Sequence, residues 1–201
     1  MWLNLYYKNN TINVLFFGHH IVFSYDIKLK DEIMDNLQLK NIIFLDIDGV
    51  LNNSTTLDSV FGCVGIDDVL VKRLKKIVET TEAEIFLVSS WKYGWYKDAE
   101  QKQNQDIFAN HLDTKLYQHG LKITDKVESD GDMLDERGKL IKGFLQTSKV
   151  KNFVILDDIV FDYISEGFEN NLVLTYSKFG LTEEDVKKAI EILQRPSNDG
   201  V

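Results

Sequence analysis

Cysteine occurs once in the chain, at Cys63, so no disulfide can close within it. A reducing cytoplasm is the expected compartment. Cys63 has no histidine or basic neighbour in sequence, which favours a packed thiol over a nucleophile. Long apolar runs are also lacking; the longest are strand-sized, so no membrane span and no membrane partner are expected. Residues 1–7 lack the basic start and small-residue cleavage site of a secretory leader, which is therefore not expected. Positive charge is scarce: 23 Lys and Arg stand against 32 Asp and Glu, a net charge of −9. That balance opposes long-range attraction to phosphate backbones, so non-specific duplex DNA binding is not expected. It leaves room for a local phosphate site.

What remains is a 201-residue chain of ordinary hydrophobicity, enough for one domain with a sizeable core and a small appendage. Its organising stretch is residues 41–53. The apolar run at 42–45 reads as a strand buried on both faces, as in a parallel sheet. It stops at Asp46-Ile47-Asp48-Gly49. Open α/β folds place ligands at the carboxyl ends of such strands. Two carboxylates there repel one another and make best sense around a hard cation such as Mg²⁺. Gly49 permits the sharp turn that keeps Asp48 near Asp46. The bland alternative is a strand ending in an Asp-Gly turn.

Residues 1–36 read as a β-rich extension, a small antiparallel hairpin or meander with Asn9-Asn10 as a turn signal. His19-His20 has no spaced third ligand, which favours surface or packing histidines over a metal site. Residues 31–37 read as a short helical or linking segment. From 37 to 201 the chain reads as one α/β domain. A loop covers 53–65, and Asp67 then caps a helix with Leu70, Leu74, Ile77 and Val78 on one face. Lys72, Arg73, Lys75 and Lys76 make its solvated side. A second buried strand, 84–88, ends in Ser89-Ser90, completing a βαβ unit. A helix is expected over 106–118, stopped near Gly120, with a short strand at 121–123 and an acidic loop over 125–137. A helix at 139–147 leads to a third buried strand, 153–156, which runs into Asp157-Asp158. A fourth covers 172–176. Thr182, with Asp185 three residues on, gives the clearest helix start, and that helix must end before Pro196.

Three buried strands therefore end in chemistry: Asp46 and Asp48, Ser89 and Ser90, Asp157 and Asp158. One parallel sheet brings these ends to one edge. Carboxylates at two of them supply oxygen ligands for Mg²⁺, and a hydroxyl with a Lys or Arg would cradle a phosphate. In order, these blocks resemble the haloacid dehalogenase (HAD) superfamily: Asp46-Ile47-Asp48-Gly49, then Ser89-Ser90-Trp91-Lys92, then Asp157-Asp158. More narrowly, the chain is similar to the HAD domains of Swiss-army-knife RNA-repair proteins, through Ser89-Ser90-Trp91, Arg137-Gly138 and residues 180–185. The resemblance covers about residues 41–194 and implies a Rossmann-like core, with a central parallel sheet and helices on both faces.

Carried over residue by residue, the resemblance makes Asp46 the nucleophile and Asp48 the general acid/base. Ser89 binds the phosphoryl group, with Ser90 as the fallback. Asp157 completes a metal site with Asp46 and the backbone carbonyl of Asp48, and Asp158 is a second or supporting ligand. Asp162 is a weaker candidate for that site and reads rather as a surface acid. Lys139 is slightly preferred over Arg137 as the phosphate-binding base. Lys92 stands where the subgroup often has Arg. The implied activity is Mg²⁺-dependent hydrolysis of a phosphomonoester through an aspartyl-phosphate, on a phosphorylated small molecule, a nucleotide or an RNA end. A phosphotransferase of the same fold and a catalytically weak binding domain are the rivals. About 36 residues separate the first two blocks, which leaves little or no room for a cap. Trp91, Tyr93, Trp95 and Tyr96 are either a base-stacking wall or packing for the segment after the second strand.

Overall fold

The computed structural model describes residues 2–7, 10–17, 20–24, 39–128 and 135–196. The 31–37 segment, His19 and the centre of the acidic loop at 129–134 lie outside them. The chain divides into two compact units, Met1–Leu39 and Lys40–Val201. The first is an antiparallel meander of β1 (Trp2–Tyr7), β2 (Asn10–Phe17) and β3 (His20–Ser24), with Trp2 opposite Leu15 and Asn13 opposite Ser24.

The second unit opens with β4 (Lys40–Leu45) and a small hairpin, β5 (Ser59–Val60) and β6 (Cys63–Val64). Helix α1 (Asp68–Thr81), β7 (Glu84–Leu87), a 3-10 turn (Ser90–Gly94), α2 (Ile107–Gln118) and β8 (Ile123–Lys126) follow. The chain then continues through α3 (Arg137–Thr147), β9 (Val150–Asp157), β10 (Leu172–Leu174) and α4 (Glu183–Leu193). Five strands form one parallel sheet in the order β10-β9-β4-β7-β8, so the aspartate strand lies at its centre. Among the described residues no helix is long and apolar enough to cross a membrane.

The period-2 alternation of the strands sorts the core into two layers. Ile43, Leu45, Ile85, Leu87, Val154 and Leu156 face α1, α2 and α4, which contribute Leu74, Leu112 and Val186 among others. Ile42, Phe44, Phe86 and Ile155 face the other way, onto Ile141 of α3 and its neighbours. There Phe44 meets Phe86, Phe144 and Phe153 edge-to-face, with centroids 5.7–6.3 Å apart. Burying one such ring contributes about 1.5–3 kcal/mol. Such a sheet, covered on both faces, is what continuous apolar strands require.

Local start signals behave as expected at two helices. The Asp67 side chain accepts from Val69 N, and Thr182 with Asp185 forms a reciprocal capping box. Elsewhere the boundaries move. The strand expected at 121–123 lies at 123–126, where Ile123 pairs with Ile85 of β7, so Asp125 is in a strand rather than a loop. β10 ends at Leu174, although Thr175 N still donates to Asp157 O. The 53–65 loop contains the hairpin β5–β6. Helix α3 starts at Arg137, two residues before the expected Lys139.

Candidate active site

At the end of β4 the ladder carries on for one residue, with Asp46 N donating to Leu156 O at 2.9 Å. The chain then winds into a helical turn, with Val50 N and Leu51 N both bonded to Ile47 O. The turn buries Ile47, Val50 and Leu51 and leaves Asp48 at the surface. Gly49 has φ +73°, and a Cβ there would lie 2.3 Å from Asp158 Oδ2. Glycine is thus required twice, by the backbone angle and by the neighbouring carboxylate. Asp48 Oδ1 accepts from Asn52 Nδ2 at 2.9 Å, and Asp48 Oδ2 accepts from Trp91 Nε1 at 3.1 Å. Asn52 Oδ1 accepts from Gly49 N, and Thr175 Oγ1 donates to Gly49 O, pinning the turn to the strand-end loop after β10.

The end of β9 is built differently. Asp157 is fully buried. Its Oδ1 accepts from Ile159 N, and its Oδ2 accepts from Tyr163 Oη and Arg137 Nη1, each at 2.7 Å. The same Nη1 donates to Asp46 Oδ1 at 2.7 Å, so one guanidinium nitrogen bridges the two buried acids. The guanidinium lies 4.3 Å from the centroid of the Phe161 ring, a stacking arrangement that Lys does not reproduce. Arg137 sits at the first position of α3. That helix start is capped from a distance: Asp162 accepts from Gly138 N at 2.6 Å and Lys139 N at 3.0 Å. A Cβ on Gly138 would come within 2.9 Å of Asp162 Oδ1, so this close approach too favours glycine.

Burial sets the electrostatics. Desolvation first, then the Asp157 charge, push Asp46 up to about 7 against the opposing pull of Arg137 and of the nearby Ser89 hydroxyl. Burial raises Asp157 as well, despite its bonds from Arg137, Ile159 and Tyr163. Asp158 is raised by burial and by Asp157. Burial alone would lower Arg137, but Asp46 and Asp157 outweigh it and hold the guanidinium charged. Three carboxylates, Asp46, Asp157 and Asp158, bring oxygens within 4.8 Å of one another. Opposite ligands of a small octahedral cation stand roughly 4.2 Å apart, so small side-chain rotations suffice. The donor set is all oxygen, which fits a hard divalent cation.

A family model described as the HAD domain in Swiss Army Knife RNA repair proteins matches residues 42–186, from β4 into the first turn of α4. The chain belongs to this family. Its members point to phosphatase-type hydrolysis, and the acidic cluster could hold the metal. Among curated proteins none matches the chain significantly.

In this HAD domain the structure brings together Asp46, Asp157, Asp158, Arg137 and Ser89. Ser89 is buried, and its hydroxyl caps the 3-10 turn by accepting from Trp91 N at 3.4 Å; Ser90 is exposed. Asp48 flanks the cluster, its carboxylate taken up by Asn52 and Trp91 rather than joined to the other three acids. The preference for Lys139 over Arg137 is reversed by the geometry: the Lys139 ammonium is paired with Glu136 at the surface. Lys92 is buried and donates to Val127 O at 3.0 Å; desolvation and then Arg137 bring it down to about 8. Asp162 is a helix cap and not a free surface acid.

The aromatic wall does not form in this HAD domain. Trp91 is 9% and Trp95 1% exposed, and both belong to the core, with Trp95 Nε1 donating to Asp113 Oδ1. Of the four, Tyr93 alone is well exposed. Sequence reasoning missed Asn52, Tyr163, Thr175 and the donor role of Trp91. Asn52 left a signal, since it follows Asp48 by four residues, one helical turn. Tyr163 and Thr175 left none, because their partners are set by loop geometry.

Proposed function

We propose that this HAD domain is an Mg²⁺-dependent phosphatase that hydrolyses a phosphomonoester through an aspartyl-phosphate on Asp46. The observation that carries this reading is the bridge at one sheet edge, in which Arg137 Nη1 joins Asp46 to Asp157, with Asp48 two residues beyond the nucleophile. Asp46 Oδ attacks phosphorus in line while Asp48 gives a proton to the leaving oxygen. Asp48, now a carboxylate, takes a proton from water as the water oxygen bonds to phosphorus and the Asp46 Oδ–P bond breaks. Arg137 and Ser89 hold the phosphoryl oxygens. Mg²⁺, with Asp46, Asp157, Asp158 and the Asp48 carbonyl as ligands, supplies charge neutralisation and Lewis-acid polarisation when bound.

The catalytic unit in this reading is residues 37–201, with 1–36 as a separate β-rich extension. Its substrate is a phosphorylated nucleotide or a nucleic-acid end, a class favoured by the family description and by the short connection from β4 to β7. That connection holds only the small hairpin and α1, so the sheet edge there carries no large cap. The test is turnover of an aryl phosphate and a panel of nucleotides and RNA ends with Mg²⁺, against an EDTA control. Mg²⁺-dependent release of phosphate, with label trapped on Asp46 after acid quench, is expected. Absence of turnover across the panel, or label on Asp157, overturns the reading.

A further inference from the structure

We infer that Trp91 and Asn52 are positioning residues that aim the Asp48 carboxylate at the leaving oxygen and then at the attacking water; this rests on the phosphatase reading above. Asp48 is exposed at the head of a tight turn, where an aspartate would ordinarily sample several rotamers. Here both of its oxygens are engaged, one by the Asn52 amide at 2.9 Å and the other by the Trp91 indole at 3.1 Å. The two arms come from different strand ends. Asn52 belongs to the turn after β4 and is 4% exposed, and its amide is oriented because its own oxygen accepts from Gly49 N. Trp91 belongs to the turn after β7, which Ser89 caps, and its ring is wedged edge-to-face on Phe108 at 5.3 Å.

Neither donor atom can rotate away without breaking a second interaction, so the angle of the carboxylate is fixed by packing. The clamp also links the strand end that carries the nucleophile to the strand end that carries the phosphoryl-binding hydroxyl. Proton transfer is sensitive to such placement: Asp48 must face the leaving oxygen in the first displacement and the attacking water in the second. A merely structural tie between two loops would alter stability and leave the chemical step alone. A substrate contact would alter KM.

The experiment compares wild-type protein with Trp91→Phe, which keeps an aromatic ring against Phe108 and removes the N–H donor. A second variant carries benzothienylalanine at 91, which replaces N–H by sulfur at nearly constant shape, so that a folding defect in the first does not decide the outcome. Steady-state kinetics on an aryl phosphate with Mg²⁺ are read together with acid-quenched covalent phosphate. A kcat lowered roughly tenfold or more, with KM within about twofold and phosphate accumulating on Asp46, is expected from loss of a hydrogen bond to a charged group. An unchanged kcat in the benzothienylalanine protein, or a loss confined to KM, overturns the inference while leaving the phosphatase reading in place. A wild-type protein without turnover on the whole panel overturns both.

Discussion

The strand ends after β4 and β9 each present two acids, yet they are built to opposite plans. After β9 the first acid, Asp157, is sealed from solvent and saturated by a guanidinium, a phenol and a backbone amide. After β4 the first acid is buried too, but the second, Asp48, stands at the surface on two directional donors. A buried carboxylate with three donors is held in place; an exposed one on two donors still meets solvent. In the proposed mechanism Asp157 and Asp158 build the site, and Asp46 with Asp48 carries out its chemistry.

The comparison breaks most visibly at the nucleophile. Asp46→Asn should abolish turnover and any covalent phosphate while the fold survives. Asp48→Asn should retain more activity on activated aryl phosphates, because acid–base assistance contributes about 10²–10⁴-fold. Label should accumulate on the second variant and never on the first.

Stability should show the reverse ranking. Asp157→Ala leaves the Tyr163 hydroxyl unpaired and the Arg137 charge short of one partner, and should cost about 3–5 kcal/mol in urea unfolding. Asp158→Ala, at a half-exposed position, should stay within about 1 kcal/mol of wild type and show its loss in Mg²⁺ binding by calorimetry. Gly49→Ala tests the contact between the two ends. Its φ of +73° should cost about 1–2 kcal/mol, and displacement of Asp158 should weaken Mg²⁺ binding in the same protein.

The smallest effect concerns how the chain leaves the β4 end. Burial would raise Asp58, but bonds from Ile66 N and His111 and the nearby Lys115 hold it below the ordinary carboxylate value. Its folded pKa is depressed, so its contribution is present above the unfolded value of 3.8 and is lost as pH falls through the folded one. Asp58→Asn should lower stability near neutrality and flatten the acid limb, the difference from wild type vanishing as pH falls below the folded pKa, as thermal melts across pH would show.

The strand ends were legible because a run buried on both faces has few options except a parallel sheet, and its termini must meet at one edge. Asp67 and Thr182 were legible as caps because each bonds within its own helix start. Arg137 was not separable from Lys139, since the residue that decides where α3 begins is Asp162, far along the chain. Trp91 looked like either a stacking surface or packing. It is packing with one functional atom, a combination that residue type alone does not reveal. β8 slipped by two residues because an edge strand takes its register from its neighbour, here β7, rather than from its own pattern.

Helix α3 lacks a start of its own. Glu136, at its cap position, makes no side-chain cap bond, and the first free amides are taken by Asp162, 24 residues on. The beginning of the helix is thus written in a part of the chain made later. The cap that fixes the frame of residues 137–147 exists only where β9 has joined the sheet and its loop lies over Gly138. Any fragment that stops before Asp162 therefore carries Asp46 and Arg137 but lacks the carboxylate that fixes where the helix bearing Arg137 begins.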